Sequence, residues 1–438
     1  MQKTSRLATR TPFYYGWVVA AAVGISMLAS SSMAAPVFSV FIEPWTEEFG
    51  WSRTAISGVF SVASLMAAFA GPLFGRAVDR YGGRLILGGG LLVLAGSLIA
   101  MGFVASLIAF YVVFPIGRII MMNIQNLVSH TVVANWFVRR RALATAVVLN
   151  GNRFGLGMWP WLASAIMIAF DWRMAFWVMG SIVVLLAFVP LMLVVARRPE
   201  QIGLQVDGRD AIDTMASGRP GRVEHQWTIH DAVRTRAFWL LMAAHTALMV
   251  SGAGMGVHRV AFFVGGGLSD GWIGPLLVFN AVGMSTGGFT GAFLMRYVAT
   301  RKVIDGYMFG VAIAMLVVMQ VPANGIALPY AFIEGMMSGG AFAMMPVIYA
   351  DYYGRRSIGT IRGLTHPVVM SANAVGPMIA VVVFDWRGDY SWAFVSFSAV
   401  EFAGAIAAWL ARPPVASPVT SVDSVEPPTE TGPDVDPV

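Results

Sequence analysis

Two arginines stand where arginine is hardest to keep. Arg118 lies in the middle of an apolar run and is followed at i+7, i+8 and i+11 by Gln125, Asn126 and Ser129, a spacing that places all four on one face of a helix. Arg153 lies in the next apolar run beside Asn152, with Thr145 a helical repeat earlier. A guanidinium at bilayer depth costs at least about 2.5 to 3.5 kcal/mol, so each needs a partner, a wet cavity or a function. The guanidinium fork grips a carboxylate at two points, and two such forks converging on one cavity would hold an organic anion. The competing role is structural, in which one or both pair with Glu334 or with main-chain carbonyls and lock the helices together.

Glu334 is a carboxylate near the middle of its apolar run, which makes it the proton-coupling candidate, or equally a static counter-ion. His366 and Asn373, seven apart, share a helical face and join the substrate-contact candidates. Asn280, the single strongly polar group of its helix, is another. His245 and Arg259 share a face but fall near the ends of their span, where gate or interface roles are expected; Glu401 is expected to pack. The chain has no cysteine, which excludes disulfides, thiolate metal sites and cysteine nucleophiles. No phosphate-loop motif occurs, so neither ATP, a cofactor nor a metal is expected, and no catalytic constellation suggests an enzyme.

The elements that position these residues follow from composition. Of 438 residues 57% are hydrophobic and 12% charged, too little charge to cover a soluble globule of this size. Apolar runs long enough to cross a bilayer recur at 13–41, 55–78, 84–104, 107–131, 142–167, 172–196, 237–264, 272–295, 302–321, 325–350, 361–383 and 390–411. The first is too long, and followed by too many others, to be a cleavable leader. If the N-terminus is cytoplasmic, 23 of the 29 basic residues fall in cytoplasmic segments, as the positive-inside rule requires. A missed or invented helix would invert every later loop and erase that bias. The net charge of +6 therefore belongs to a membrane topology with both termini inside, not to nucleic-acid binding.

The domains expected are a cytoplasmic tail 1–12, a six-helix bundle 13–196, a cytoplasmic linker 197–236, a second bundle 237–411 and a disordered tail 412–438. The halves repeat at an offset of 216 to 218 residues. Gly50, Trp51 and Ser52 match Gly267, Leu268 and Ser269. Gly75 and Arg80 match Gly291 and Arg296; Phe137, Arg139 and Arg140 match Tyr353, Arg355 and Arg356. Asp171, Ala175 and Phe176 match Asp389, Ala393 and Phe394. Two equivalent bundles about an axis along the membrane normal enclose a cavity that rocking can open to either side.

The loop after the second span reads Gly75, Asp79, Arg80, Gly82, Arg84 in the pattern G-x-x-x-D-R-x-G-x-R, which resembles the signature of the major facilitator superfamily. Its glycines allow a tight turn, and Asp79 with its arginines can latch neighbouring helix ends when the chain is open to the outside. Met295 replaces the Asp in the second half, so a one-sided latch is expected. Gly16-Trp17-Val18-Val19, the run from Trp136 through Ala144 with Gly151, Asp171-Trp172-Arg173, and Arg198-Pro199-Glu200 with Gly203 resemble the monocarboxylate porter branch, which includes oxalate/formate exchangers. The resemblance implies an all-α membrane protein with the major facilitator fold: twelve transmembrane helices, two six-helix pseudo-repeats around a central cavity. It also implies an arginine on the eighth helix; Gly283 and Gly287 occupy that region instead, and Arg118 and Arg153 are the replacements to be tested.

The expected function is secondary transport of a small organic anion, a monocarboxylate above all, by proton symport or anion exchange, in a monomer within a bacterial inner membrane. An efflux carrier for hydrophobic compounds and a non-transporting membrane sensor are the alternatives.

Overall fold

A computed structural model describes residues 11–196, 198–208, 227–265, 267, 272–320, 326–387 and 390–414. Leu268, Ser269, Asp389, residues 1–10 and 415–438, and most of the central linker lie outside the described residues.

Among the described residues twelve long helices cross the molecule. They are α1 (Gly16–Val40), α2 (Arg53–Tyr81), α3 (Gly83–Met101), α4 (Leu107–Trp136), α5 (Arg141–Ala169) and α6 (Trp172–Val194) in the first half. The second half holds α7 (Arg236–Gly265), α8 (Ile273–Leu294), α9 (Thr300–Val317), α10 (Ala327–Tyr353), α11 (Ile358–Arg387) and α12 (Ser391–Leu410). In hydrocarbon every main-chain polar group must be satisfied within the segment, which selects helices for such apolar runs. Ten are long and apolar enough to span a membrane on length and composition alone. The other two, α5 and α11, are equally long but interrupted by polar residues, among them Asn152 and Arg153 on α5, and Arg362 and His366 on α11.

Side chains set several helix starts. Ser52, Ser106 and Asp171 each accept a hydrogen bond from the main-chain N–H three residues on, capping α2, α4 and α6. Several helices depart from regular geometry, α6 through a π-helical stretch at Val183–Phe188 and two others near the polar candidates. α1 tightens into a 3-10 turn at Ser31–Met33 before restarting with Pro36 in its first turn. α4 carries a π-helical turn at Ile124–Val128 that contains Gln125 and Asn126.

The repeat read from sequence is present in the packing. α1 packs on α5 as α7 packs on α11, α2 on α4 as α8 on α10, and α3 on α6 as α9 on α12. The halves meet where α2 crosses α11 and where α5 crosses α8. Matched landmarks behave alike: Gly50 and Gly267 both take positive φ, and the pairs Ala175/Ala393 and Phe176/Phe394 are all buried. One core fills the first half from Tyr15 to Ala196. Those of the second half also take in Ala68, Ala134 and Ala142, so the halves share their apolar packing at the seams.

Candidate functional site

The break in α1 is the centre of the first polar site. It brings the Met33 carbonyl to Arg118, whose Nη1 donates to it at 2.8 Å while Nε reaches Ser64 Oγ at 3.4 Å. The guanidinium also lies 4.0 Å from the centre of the Phe60 ring, a cation–π contact. Two turns along α4, Gln125 Nε2 donates to Ser31 Oγ at 3.1 Å, and Asn152 Nδ2 from α5 donates to the same oxygen at 3.0 Å. Arg153 follows on α5, seven residues from Ala146, which packs toward Gly288 of α8. Its face of α5 is therefore the one turned to the second half, and its buried Nη1 has no hydrogen-bond partner. Neither arginine meets a carboxylate among the described residues. Among the described residues both are cations without a carboxylate partner, Arg118 beside the break in α1 and Arg153 on the face of α5 turned to the second half.

The expected common face of α4 is only partly kept. Arg118 and Gln125 turn to α1 together, but the π turn inserts an extra residue per turn and rotates Asn126 away. Its side chain donates to its own helix at Met122 O (2.9 Å), and its carbonyl accepts from Arg362 Nη2 of α11 at 2.8 Å. Asn126 is thus a seam residue.

A second buried site lies in the other half. Arg259 Nη2 of α7 pairs with Glu334 Oε2 of α10 at 2.7 Å, both nearly inaccessible. Asn280 Nδ2 of α8 donates to the same carboxylate at 2.6 Å and to Ala331 O at 3.0 Å. The counter-ion of Glu334 is therefore Arg259, not Arg118 or Arg153. Arg259, expected near the end of its span in a gate or interface role, does lie six residues from the end of α7, and its partner there is Glu334. Asn280 uses its amide hydrogens within this network.

Of the remaining candidates, Asn373 lies at the middle of α11 and the others toward the end of the bundle that carries the linker. His366 donates through Nδ1 to Ala68 O of α2 at 3.2 Å, across the halves. Asn373 is exposed, with its amide nitrogen 3.9 Å from the Met249 sulfur. Asp79 accepts from the main-chain N–H of Gly359 (3.1 Å) and Thr360 (2.6 Å) and from the Thr360 hydroxyl (2.7 Å). A carboxylate of α2 thus caps the N-terminus of α11, where the helix dipole favours negative charge. Gly75 is required one turn earlier: a Cβ there would lie 2.2 Å from the Gly359 carbonyl oxygen. Gly82 turns the chain at φ 87°, Arg84 Nη2 donates to Met192 O at 2.6 Å, and Arg80 lies 5.3 Å from the Tyr81 ring centre.

The other seam has its own latch. Arg141 Nη1 of α5 pairs with Asp351 of α10 at 2.9 Å, and Thr300 Oγ1 donates to the same carboxylate at 2.6 Å. Arg355 bonds Asn135 O (3.1 Å) and Glu200 of the linker (2.7 Å), while Asp207 accepts from the N–H groups of Val138, Arg139 and Arg140. These ties between halves all lie on one side of Arg118 and Arg153, so the linker end is closed. Away from them, a groove of about 460 Å³ opens among α2, α7 and α11, lined by residues such as Phe69, Val250 and Val368 and by none of the candidate polar groups.

Sequence reasoning missed Ser31, Ser64, Phe60 and the Met33 carbonyl. The run Ser30-Ser31-Ser32 ahead of Pro36, a cluster of turn-forming residues inside an apolar span, was the available signal.

Two six-helix bundles, packed against each other at two seams around buried polar groups and shut at one end, have the architecture of a polytopic transporter. The chain belongs to the Major Facilitator Superfamily, whose family model matches residues 19–372. It is 24% identical over 393 residues to the oxalate:formate antiporter of Oxalobacter formigenes, covering 86% of this chain and 88% of that protein. It is 22% identical over 430 residues to monocarboxylate transporter 12 of Rattus norvegicus, covering 90% and 85%. Human monocarboxylate transporter 6 is 30% identical over a shorter stretch of 171 residues, 38% of this chain and 33% of that protein. Among solved structures, the proton:xylose symporter XylE superposes with a TM-score of 0.70 at 14% identity, over 90% of this chain and 95% of that one. The human organic anion transporter TETRAN gives 0.65 at 15% identity, over 91% and 100%.

Proposed function

We propose that the protein carries a small organic anion, a monocarboxylate above all, across a bacterial inner membrane by alternating access, as a monomer with both termini cytoplasmic. The observation that carries this reading is the pair of arginines, Arg118 and Arg153, inside long apolar helices and without a carboxylate counter-ion among the described residues. A buried cation left unpaired is costly, and an anionic substrate between the guanidiniums would supply the missing charge. Gln125 and Asn152, meeting at Ser31, add neutral hydrogen-bonding groups beside it. The relatives named for monocarboxylate and oxalate:formate transport agree with that chemistry.

Glu334 supplies a route to proton coupling. Protonating it would discharge the ion pair and leave Arg259 seeking a new anion, which links proton binding to substrate binding in the second half. Proton symport uses this link directly; anion exchange leaves the pair intact throughout.

The test is uptake of labelled organic acids by proteoliposomes, with and without a pH gradient. Uptake of a carboxylate that disappears in Arg118→Gln supports the proposal, and its stimulation by an inward proton gradient selects symport. If no carboxylate is taken up or exchanged, the substrate reading is wrong.

A further inference from the structure

The closed end contains a group of buried polar atoms that the carrier site does not use. Arg362 of α11 donates one guanidinium nitrogen to the Asn126 carbonyl, and its Nη1 has no partner. That carbonyl belongs to the turn of α4 that leads into His130, whose Nδ1 is also unpartnered. His130 lies within electrostatic reach of both Arg362 and His245. On α7, His245 Nδ1 is unpartnered, and its ring centre lies 6.3 Å from that of Tyr349 on α10. The Tyr349 hydroxyl completes the group: it is buried near the Thr365 hydroxyl without a hydrogen bond of good geometry to it, and Thr365 gives its own hydrogen to the Arg362 carbonyl at 2.9 Å. All four side chains are more than nine-tenths buried.

Buried polar groups are normally satisfied, so four unsatisfied ones in one place need an explanation. Their chemistry is mostly that of donors. Arginine and tyrosine offer hydrogens here, and each histidine with an unbonded Nδ1 can present an N–H. His366, whose Nδ1–H is already given to Ala68, adds a buried Nε2 without a partner that can only accept while the ring is neutral. The two carboxylates in the neighbouring latches are committed elsewhere, Asp79 to Gly359 and Thr360, and Asp351 to Arg141 and Thr300. Donors come from α4 of one half and from α7, α10 and α11 of the other, so closing the linker end assembles the group.

We propose that His130, His245, Tyr349 and Arg362 form a second anion site, separate from the Arg118 and Arg153 region, that binds one small carboxylate and holds the linker end shut while occupied. Burial limits the ligand to a few heavy atoms, and the single cation matches a single negative charge. The site stands on its own geometry whether or not the central arginines bind substrate.

The experiment is a thermal-stability titration of the purified full chain with sodium formate, against sodium gluconate as an equally charged but larger control. Formate should raise the unfolding temperature in wild type and, within about twofold in midpoint concentration, in the Arg118→Gln/Arg153→Gln variant. Arg362→Gln should weaken the midpoint at least tenfold. If Arg362→Gln does not fold, His130→Gln/His245→Gln with Arg362 intact takes its place, with the same weakening expected. The proposal is overturned if formate stabilises no better than gluconate, if its effect survives in the gate variants, or if it is lost in the Arg118→Gln/Arg153→Gln variant. Failure of carboxylate uptake in proteoliposomes with the formate shift intact would sink the substrate reading and leave this site standing.

Discussion

Arg118 and Arg259 are buried to the same degree, one in each half, and the molecule treats them oppositely. Arg259 is matched by Glu334 at 2.7 Å, with Asn280 bracing the carboxylate, so the second-half site is neutral as a whole. Arg118 has a carbonyl, a hydroxyl and an aromatic face, none of which cancels its charge. A matched pair holds helices in place; an unmatched cation is held ready for something else. Local stability given up for a charge that only a ligand satisfies is the usual mark of a binding site.

That contrast can be broken most sharply in the second half. Glu334→Gln leaves Arg259 buried without its anion and should cost about 3–5 kcal/mol, read as a lowered denaturation midpoint in detergent. Replacing both partners with apolar residues, Arg259→Met/Glu334→Leu, should recover most of the loss. If Glu334→Gln is neutral, the pair is not the structural clamp inferred from its geometry. Arg118→Gln should do the reverse, leaving the midpoint unchanged or raised while carboxylate uptake falls on the order of 10²-fold. A large loss of stability in Arg118→Gln would erase the distinction between the halves.

The latches give a smaller effect. Asp79→Ala removes the cap from α11 and should cost about 1 kcal/mol of the closed arrangement, a severalfold rise in opening. The natural lack of cysteine makes this measurable with a single reporter, Ala68→Cys, buried against His366; its thiol-labelling rate should rise in the Asp79→Ala background. An unchanged rate would mean that the cap does not hold the gate.

The smallest effect lies at the far end. Glu48 accepts from both Arg173 guanidinium nitrogens and from the Trp172 indole, and those bonds hold its carboxyl below the ordinary carboxylate range. Because the folded-state pKa is depressed, the contribution is present at neutral pH and lost as pH falls below about 4.5 through the lowered value. The pair is partly exposed, so roughly a few tenths of a kcal/mol is expected. Arg173→Gln should flatten the acid limb of the stability profile and leave neutral pH nearly unchanged.

The architecture was legible because its signals are long-range and redundant. Loop arginines, span lengths and the offset of matched landmarks each count helices separately, and the mutual packing of α1 with α5 and α7 with α11 agrees with all three. The motif residues Gly75 and Asp79 were legible for a local reason, since close approach and helix capping each demand particular residue types. The candidate site was less so. Periodicity places Arg118 and Gln125 together but assumes a regular helix, and the π turn at Ile124–Val128 defeats that assumption for Asn126. Pairing of Arg259 with Glu334 depends on the relative depth of two helices, which hydropathy fixes only to within a few residues. Ser31 became a junction only because α1 breaks there, a tertiary choice that propensity alone does not dictate.

The cap that Asp79 places on α11 has one further consequence. The first N–H groups of a helix ordinarily find partners within their own chain segment, whereas those of Gly359 and Thr360 are held by a residue 280 positions away in the other bundle. Separating the bundles at this end therefore also frays a helix, and the opening of the gate should be visible as amide hydrogen exchange confined to the first turn of α11.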